Sequence, residues 1–182
     1  MTTLAHYRPP AKLLHWLTAI AIFCVVPLGI AMVEAAPGPG QNQLYDLHRS
    51  FGALVLTLTA LRLLWRLYSP PPPPPVTNMP PWQAWASQVM HGALYVLLFA
   101  VPLMGWAGTS AFGARIMIFG LFELPMVLDK DRDLATVLLS IHVYLAFTLC
   151  ALFVIHIGAA IHHQVVRKNA VLRRMLPRFG AG

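Results

Sequence analysis

The sequence predicts an all-α membrane protein, a bundle of four transmembrane helices with both termini in the cytoplasm. Three observations point to this class. Of the 182 residues, 58% are hydrophobic and only 10% are charged, whereas a soluble domain carries about 25% charged residues. Four apolar stretches each reach the roughly 20 residues that a helix needs to cross a bilayer. The basic residues are also divided unevenly between the connections.

The four predicted helices cover residues 13–33, 47–67, 85–108 and 134–161 of a single domain spanning residues 1–182. The first stretch also has features of a signal peptide, because Arg8 and Lys12 precede it and the small residues Ala35 and Ala36 follow it. The apolar region of a signal peptide is only about 7–15 residues long. The longer stretch in this chain favours a retained helix.

The distribution of charge orients the bundle. With four crossings, the N-terminal tail, the second connection and the C-terminal tail share one side. That side carries nine basic residues and no acid, and the other side carries four basic residues and all six acids. The positive-inside rule therefore places both termini in the cytoplasm. The same division explains the net charge of +7 without nucleic acid, and membrane lipids are the expected partners of the basic C-terminal tail.

Two connections have distinctive compositions. Residues 70–75 are an unbroken proline run on the cytoplasmic side, which predicts an extended polyproline II linker. The connection over residues 109–133 is the longest, and its apolar, aromatic middle is interrupted by glycine and proline. We expect this connection to lie at the outer interface as a short helix or loop packed over the bundle.

Histidines are the most informative polar residues of the chain, because polar groups inside a membrane are expensive and mark function by default. His142 and His156 are fourteen residues apart in the fourth helix, so they lie about 21 Å apart and within roughly 40° of the same face. His15 lies at the depth of His156, and His48 lies at the depth of His142. The sequence therefore predicts two histidine pairs, one in each leaflet.

Two facing imidazoles suit the axial positions of a haem iron, and helix bundles build cofactor sites in this way. Zinc and copper also accept imidazole, but they usually need further ligands, and no Cys, Asp or Glu lies near either level. A single histidine near a helix end is more simply satisfied by headgroups or water, so the match in depth and face is what favours haem. A transporter or metal-binding bundle without haem is the alternative.

Other residues near these levels have open roles. His91 either contacts a haem propionate or a quinone, or packs between helices. Arg62 and Arg66 either pair with propionates or extend to the interface. Small residues would let a flat macrocycle approach the backbone, and the candidates are Gly29, Gly52, Gly92, Gly105 and Gly158.

Several short motifs resemble the prokaryotic cytochrome b561 family, and the resemblance covers nearly the whole chain. They are Leu13-Leu14-His15-Trp16, Asp46-Leu47-His48-Arg49, Leu61-Arg62-Leu63-Leu64-Trp65-Arg66, Ser140-Ile141-His142, Val154-Ile155-His156, His162-His163 and Leu172-Arg173-Arg174-Met175-Leu176-Pro177. The resemblance implies a four-helix membrane bundle of the bacterial inner membrane with two haem b groups. His15 and His156 would hold the cytoplasmic-side haem, and His48 and His142 the outer haem.

The resemblance also implies a function. It suggests a ubiquinone site near the cytoplasmic-side haem, with His163 preferred over His162 as the nearby histidine. One branch of the family oxidises superoxide on the outer face and reduces ubiquinone, so a superoxide oxidase is expected. Attraction of superoxide by local positive charge would involve Arg49, Arg115, Lys130 and Arg132. The alternative is a haem b electron-carrier subunit of a respiratory dehydrogenase or hydrogenase complex, with an unknown protein partner.

The expected chemistry is electron transfer. Haem iron with two histidine ligands is six-coordinate and has no open position for a substrate. No catalytic residue is therefore expected beyond the haem irons. Two haems store two electrons, which would let a one-electron donor feed a two-electron acceptor, and a histidine that titrates near neutral pH would relay the protons.

Overall fold

The computed structural model describes residues 7–70, 72, 80–168 and 171–176. Its elements are α1 (Pro9–Glu34), α2 (Pro39–Tyr68), α3 (Pro81–Phe112), β1 (Ile116–Ile118), β2 (Phe122–Leu124) and α4 (Arg132–Val165). All four helices are long and apolar enough to cross a membrane. The predicted four-helix membrane fold is therefore confirmed, and each predicted span lies inside one observed helix. Four of the six residues of the predicted proline linker, 71 and 73–75, lie outside the described residues.

The helices extend past the predicted spans because local signals define their ends. Proline occupies the first turn of α1, α2 and α3, where its missing N–H removes no helical hydrogen bond. The Asp131 carboxylate begins α4 by accepting hydrogen bonds from the backbone N–H groups of Asp133 and Leu134, each at 3.0 Å. Gly113 ends α3 in the left-handed region at φ 83°.

The bundle consists of two helical hairpins. Helix α1 packs along α2 and α3 packs along α4, whereas the contact between α2 and α3 is smaller. The buried core lies midway along the helices and comprises Ala21, Ile22, Val55, Leu58, Leu97, Leu98 and Leu149. Large apolar side chains also cover the outside of the bundle, and Val96, Phe147 and Val154 are each more than two-thirds exposed. Such a surface is stable in lipid rather than in water.

The outer connection differs from the expectation. Helix α3 continues to Phe112, and the connection then forms an antiparallel β-hairpin in which Ile116 pairs with Leu124. The prediction of a short helix in this connection was therefore wrong. The reason is the turn at Phe119 and Gly120, whose positive φ values of 49° and 71° match the primed turns that join hairpin strands.

The hairpin is packed over the outer end of the bundle, as expected, and Ser50 of α2 anchors it. The Ser50 hydroxyl accepts a hydrogen bond from the Phe119 N–H at 2.9 Å. It lies 2.7 Å from the Asp46 carbonyl and 3.2 Å from the Met117 carbonyl, which accept from it. The hydroxyl therefore ties the hairpin to the end of the bundle that carries His48.

The first and last described segments of the chain meet at the opposite end of the bundle, here called the inner end. The indole N–H of Trp16 donates to the Met175 carbonyl at 2.9 Å, and Lys12 Nζ donates to the Leu176 carbonyl at 3.0 Å. Residues 171–176 thus fold back against the start of α1. The start of α1 and the segment 171–176 therefore lie on one side, as four crossings require, and the cytoplasmic location of that side stays a prediction.

Candidate functional site

The outer level brings together the predicted pair from two different hairpins. The rings of His48 and His142 have their centres 6.1 Å apart and are almost perpendicular, at 86°. A metal ion binds an imidazole nitrogen at about 2 Å, so two imidazoles on opposite sides of one ion have ring centres roughly 6 Å apart. The spacing of these rings therefore fits a shared metal ion.

Backbone hydrogen bonds fix the tautomer of both outer imidazole rings. Nδ1–H of His48 donates to the Val25 carbonyl of α1 at 3.0 Å, and Nδ1–H of His142 donates to the Val101 carbonyl of α3 at 2.8 Å. A carbonyl only accepts, so the proton of each ring is on Nδ1. The Nε2 lone pair is then available as a metal ligand, as in metal-binding histidines generally.

Each outer ring also rests on a glycine of the neighbouring helix. A Cβ atom at Gly29 would lie 2.9 Å from Cε1 of His48, and one at Gly105 would lie 3.0 Å from Nδ1 of His142. A larger residue at either position would displace the ring. We call each combination of a carbonyl and the glycine four residues later a histidine seat. The two seats are Val25 with Gly29, and Val101 with Gly105.

The inner level is a cavity to which all four helices contribute. His15 and His156, the second predicted pair, line it together with Arg62, His91 and Tyr95. Apolar side chains that include Ile22, Leu98 and Phe153 form its remaining wall. Nδ1 of His15 is buried and has no hydrogen-bond partner in the described part of the chain. A buried polar atom without a partner is costly, and the ring that carries this one lines the cavity.

His91 is the residue whose place the sequence left open. Its ring lies 5.3 Å from that of His156, at 87°, and its Nδ1–H donates to the Ser87 carbonyl at 2.6 Å. The inner level therefore holds three histidines rather than two. His91 comes eleven positions into α3, and its depth relative to His156 was the signal that would have identified it.

Two arginines of α2 lie at the inner level without a carboxylate. The guanidinium of Arg62 stacks over the Tyr95 ring at 5.4 Å, and that of Arg66 approaches the same ring at 5.8 Å. The described ion pairs are Arg49–Asp46 and Arg115–Glu123, both at the outer end. The inner level thus favours an anionic group such as a haem propionate.

The other predicted residues lie further from these two levels. His162 and His163 occupy the last turn of α4 with their rings 5.9 Å apart, and neither is among the described residues that line the inner cavity. At the outer end, Arg49 lies 3.4 Å from both an Asp46 oxygen and the Arg115 carbonyl. The predicted superoxide-attracting charge of Arg49 is therefore partly balanced by Asp46.

The donor set indicates which kind of cofactor fits. The described residues contain no group of three or more His, Cys, Asp or Glu side chains that could hold a metal ion. Two facing imidazoles suit a metal whose remaining ligands come from a macrocycle, and the partnerless Nδ1 of His15 also suits a cavity built around a ligand. Four membrane helices with such pairs define a membrane haem protein for electron transfer.

Comparison with known proteins identifies the group. Residues 6–178 match the family model described as prokaryotic cytochrome b561. The chain is 35% identical over 163 residues to Cytochrome b561 homolog 2 of Escherichia coli (strain K12), covering 89% of this chain and 86% of that protein. It is 30% identical over 165 residues to Probable superoxide oxidase CybB of Yersinia pestis, with 91% and 92% covered.

A third relative, Cytochrome b561 homolog 1 of Escherichia coli (strain K12), is 30% identical over 170 residues, with 91% of this chain and 93% of that protein covered. The chain belongs to the prokaryotic cytochrome b561 family. The resemblance found in the sequence motifs is confirmed. This protein is therefore a multi-pass membrane protein whose family transfers electrons through b-type haem.

Proposed function

We propose that this protein binds two haem b groups, one at each level, and carries electrons across the bacterial inner membrane from superoxide outside to ubiquinone near the cytoplasmic-side haem. The observation that carries the proposal is the pairing at two depths. His48 and His142 face each other at one end of the bundle, and His15 and His156 line one cavity at the other end.

The two pairs would act as axial ligands. His48 and His142 would hold the outer haem, and His15 and His156 the inner haem. When bound, each haem supplies a one-electron iron couple, and two histidine ligands leave no open position for oxygen chemistry at the metal. The two levels are about 21 Å apart along α4, so together they span most of the roughly 30 Å hydrocarbon core.

Superoxide as the donor is supported by charge at the outer end. Arg49 follows the proposed ligand His48 and places a guanidinium beside the outer level, where it forms an ion pair with Asp46 at 3.4 Å. Each superoxide anion gives up one electron and leaves as oxygen. The printed name of the Yersinia pestis relative, Probable superoxide oxidase CybB, agrees with this donor.

Ubiquinone as the acceptor is supported by the polar groups of the inner level. Reduction of a quinone takes two electrons and two protons, which two superoxide anions and the cytoplasmic water would supply. Nε2 of His91 is free to bond a quinone oxygen, because the Nδ1 proton of that ring is held by Ser87. His163, in the last turn of α4, would pass protons in from the cytoplasmic side.

An absorption spectrum of the purified protein, with a haem-to-protein ratio, tests the cofactor part of the proposal. We expect a low-spin b-type spectrum and about two haems per chain. A colourless protein would contradict the proposal and favour a bundle that uses its histidines for ions.

A pulse of superoxide tests the donor. The oxidised protein should become reduced within the pulse, and added ubiquinone should reoxidise it. Superoxide dismutase added before the pulse is the control and should abolish the reduction. Absence of reduction by superoxide, combined with rapid reduction by quinol or co-purification with a dehydrogenase, would replace this function with that of an electron-carrier subunit.

A further inference from the structure

The two levels differ in how their proposed haem ligands are held. Both outer rings donate an Nδ1–H to a helix carbonyl, at 3.0 Å for His48 and 2.8 Å for His142. At the inner level, Nδ1 of His15 is buried without a partner in the described chain. The histidine seats thus belong to the outer level.

This difference has a direct electronic consequence for a bound haem. A ligating imidazole that donates its second N–H to an oxygen is more basic at the nitrogen that binds the metal. A more basic axial ligand stabilises the ferric form relative to the ferrous form, and second-shell hydrogen bonding is one of the means by which a protein tunes a haem potential. The seats therefore lower the reduction potential at the outer level.

The distribution of charge acts in the same direction. Arg62 lines the inner cavity, and the Arg66 guanidinium lies over the Tyr95 ring, which Arg62 also contacts. Neither is among the ion pairs of the described residues, which lie at the outer end. Positive charge near an iron favours the ferrous form, because that form carries one positive charge fewer. The guanidinium groups therefore raise the potential at the inner level.

We infer that the outer haem has the lower reduction potential of the two, so that electrons run downhill from the outer level to the inner level. This inference rests on the proposed two-haem function and adds the order of the two reduction potentials. It also gives Gly29 and Gly105 a role as positioning residues, because each keeps a ring at hydrogen-bond distance from its carbonyl.

Variants that keep a single haem test the order of the potentials. His15→Ala leaves the outer ligands intact, and His142→Ala leaves the inner ligands intact. Redox titration of each variant, followed by optical absorption, gives one midpoint potential. We expect the midpoint of His15→Ala to be lower than that of His142→Ala. Equal midpoints, or the reverse order, would overturn the inference.

Glycine variants in the two-haem protein test the seats themselves. Gly29→Ala and Gly105→Ala insert a methyl group against an outer ring, whereas Gly40→Ala, at the exposed start of α2, has no atom within 4 Å of its new methyl group. We expect each seat variant either to raise the midpoint potential of the outer haem, which is the lower of the two, or to lose that haem. The control should change neither midpoint potential. If both seat variants keep two haems and the lower midpoint potential is unchanged, the seats have no role in setting it.

These results are separable from a failure of the proposed function. A protein that binds two haems but has the reversed order of potentials would retain its cofactors and lose only the inferred direction. A protein without haem fails at the earlier step. Electron paramagnetic resonance of the oxidised protein provides a further readout, because the low-spin signal of the outer haem should shift in Gly29→Ala and stay unchanged in Gly40→Ala.

Discussion

At the scale of single residues, the site follows one spacing in all four helices. Each helix places one site residue at each level, and the two are fourteen positions apart. The two residues are His15 and Gly29 in α1, His48 and Arg62 in α2, His91 and Gly105 in α3, and His142 and His156 in α4. Fourteen residues correspond to nearly four whole turns and about 21 Å, so the two residues of each helix lie on the same face, towards the interior of the bundle.

The first prediction concerns the outer pair. His142→Ala should lower the haem content from about two per chain to about one, because the outer iron loses one of its two protein ligands. The content is measured as haem absorbance in denaturing alkaline pyridine against protein mass. His162→Ala is the matched control on the same helix and should keep both haems. Loss of both haems or of neither in His142→Ala would refute the pairing with His48.

The second prediction separates the two histidines that share the inner cavity with His156. His15→Ala should lose one haem, because the inner haem would lose one of its two proposed protein ligands. His91→Ala should keep two haems and slow the reduction of ubiquinone, because His15 and His156 are the proposed ligands of the inner haem and His91 is the proposed quinone contact. Haem content and the rate of reoxidation by ubiquinone are the two measurements. Haem loss in His91→Ala but not in His15→Ala would exchange their assigned roles.

The limits of sequence reasoning are clear at this scale. Depth and helical face were enough to predict that His48 lies beside His142 and that His15 and His156 share a level, because both follow from the geometry of a straight helix. The same reasoning did not distinguish Gly29 and Gly105 from the other small residues. Their importance depends on which neighbouring helix places a histidine ring against them. The His48 ring of α2, for example, lies against Gly29 of α1.

At the scale of elements, the four helices were predictable and the outer hairpin was not. Long apolar stretches predict membrane helices because the bilayer dictates their length. The strands β1 and β2 have three residues each, which is too short for a periodic pattern. Their pairing depends on the turn at Phe119 and Gly120 and on Ser50, which is more than 60 positions away in the chain.

The third prediction concerns that hairpin. Ser50→Ala removes the acceptor of the Phe119 N–H and should lower the free energy of unfolding by about 1 kcal/mol, because the lost bond is only partly buried. Chemical unfolding in detergent measures the loss, and limited proteolysis should show faster cleavage between β1 and β2. Ser140→Ala, whose hydroxyl bonds only its own helix at Thr136, should change neither. Equal behaviour of the two variants would show that Ser50 does not anchor the hairpin.

At the scale of the whole molecule, the fourth prediction concerns orientation. Nine basic residues and no acid lie on the side of the termini, so that side should remain in the cytoplasm. A C-terminal fluorescent protein fusion should be fluorescent, and alkaline phosphatase fused after Lys130 should be active. The same enzyme fused after Leu176 is the control and should be inactive. The opposite pattern would invert the protein and exchange the proposed donor and acceptor sides.

The apolar core between the two levels has an electrical consequence. Ala21, Leu58 and Leu149 are among its buried residues, and the buried hydroxyls of Thr18 and Thr59 are already bonded to their own helices. Such a layer lets an electron tunnel but offers no relay for a proton. Electrons that move inward therefore work against an inside-negative voltage, at about 2.3 kcal/mol per charge for each 100 mV. The protein in its proposed direction is electrogenic, and a strongly energised membrane should slow it.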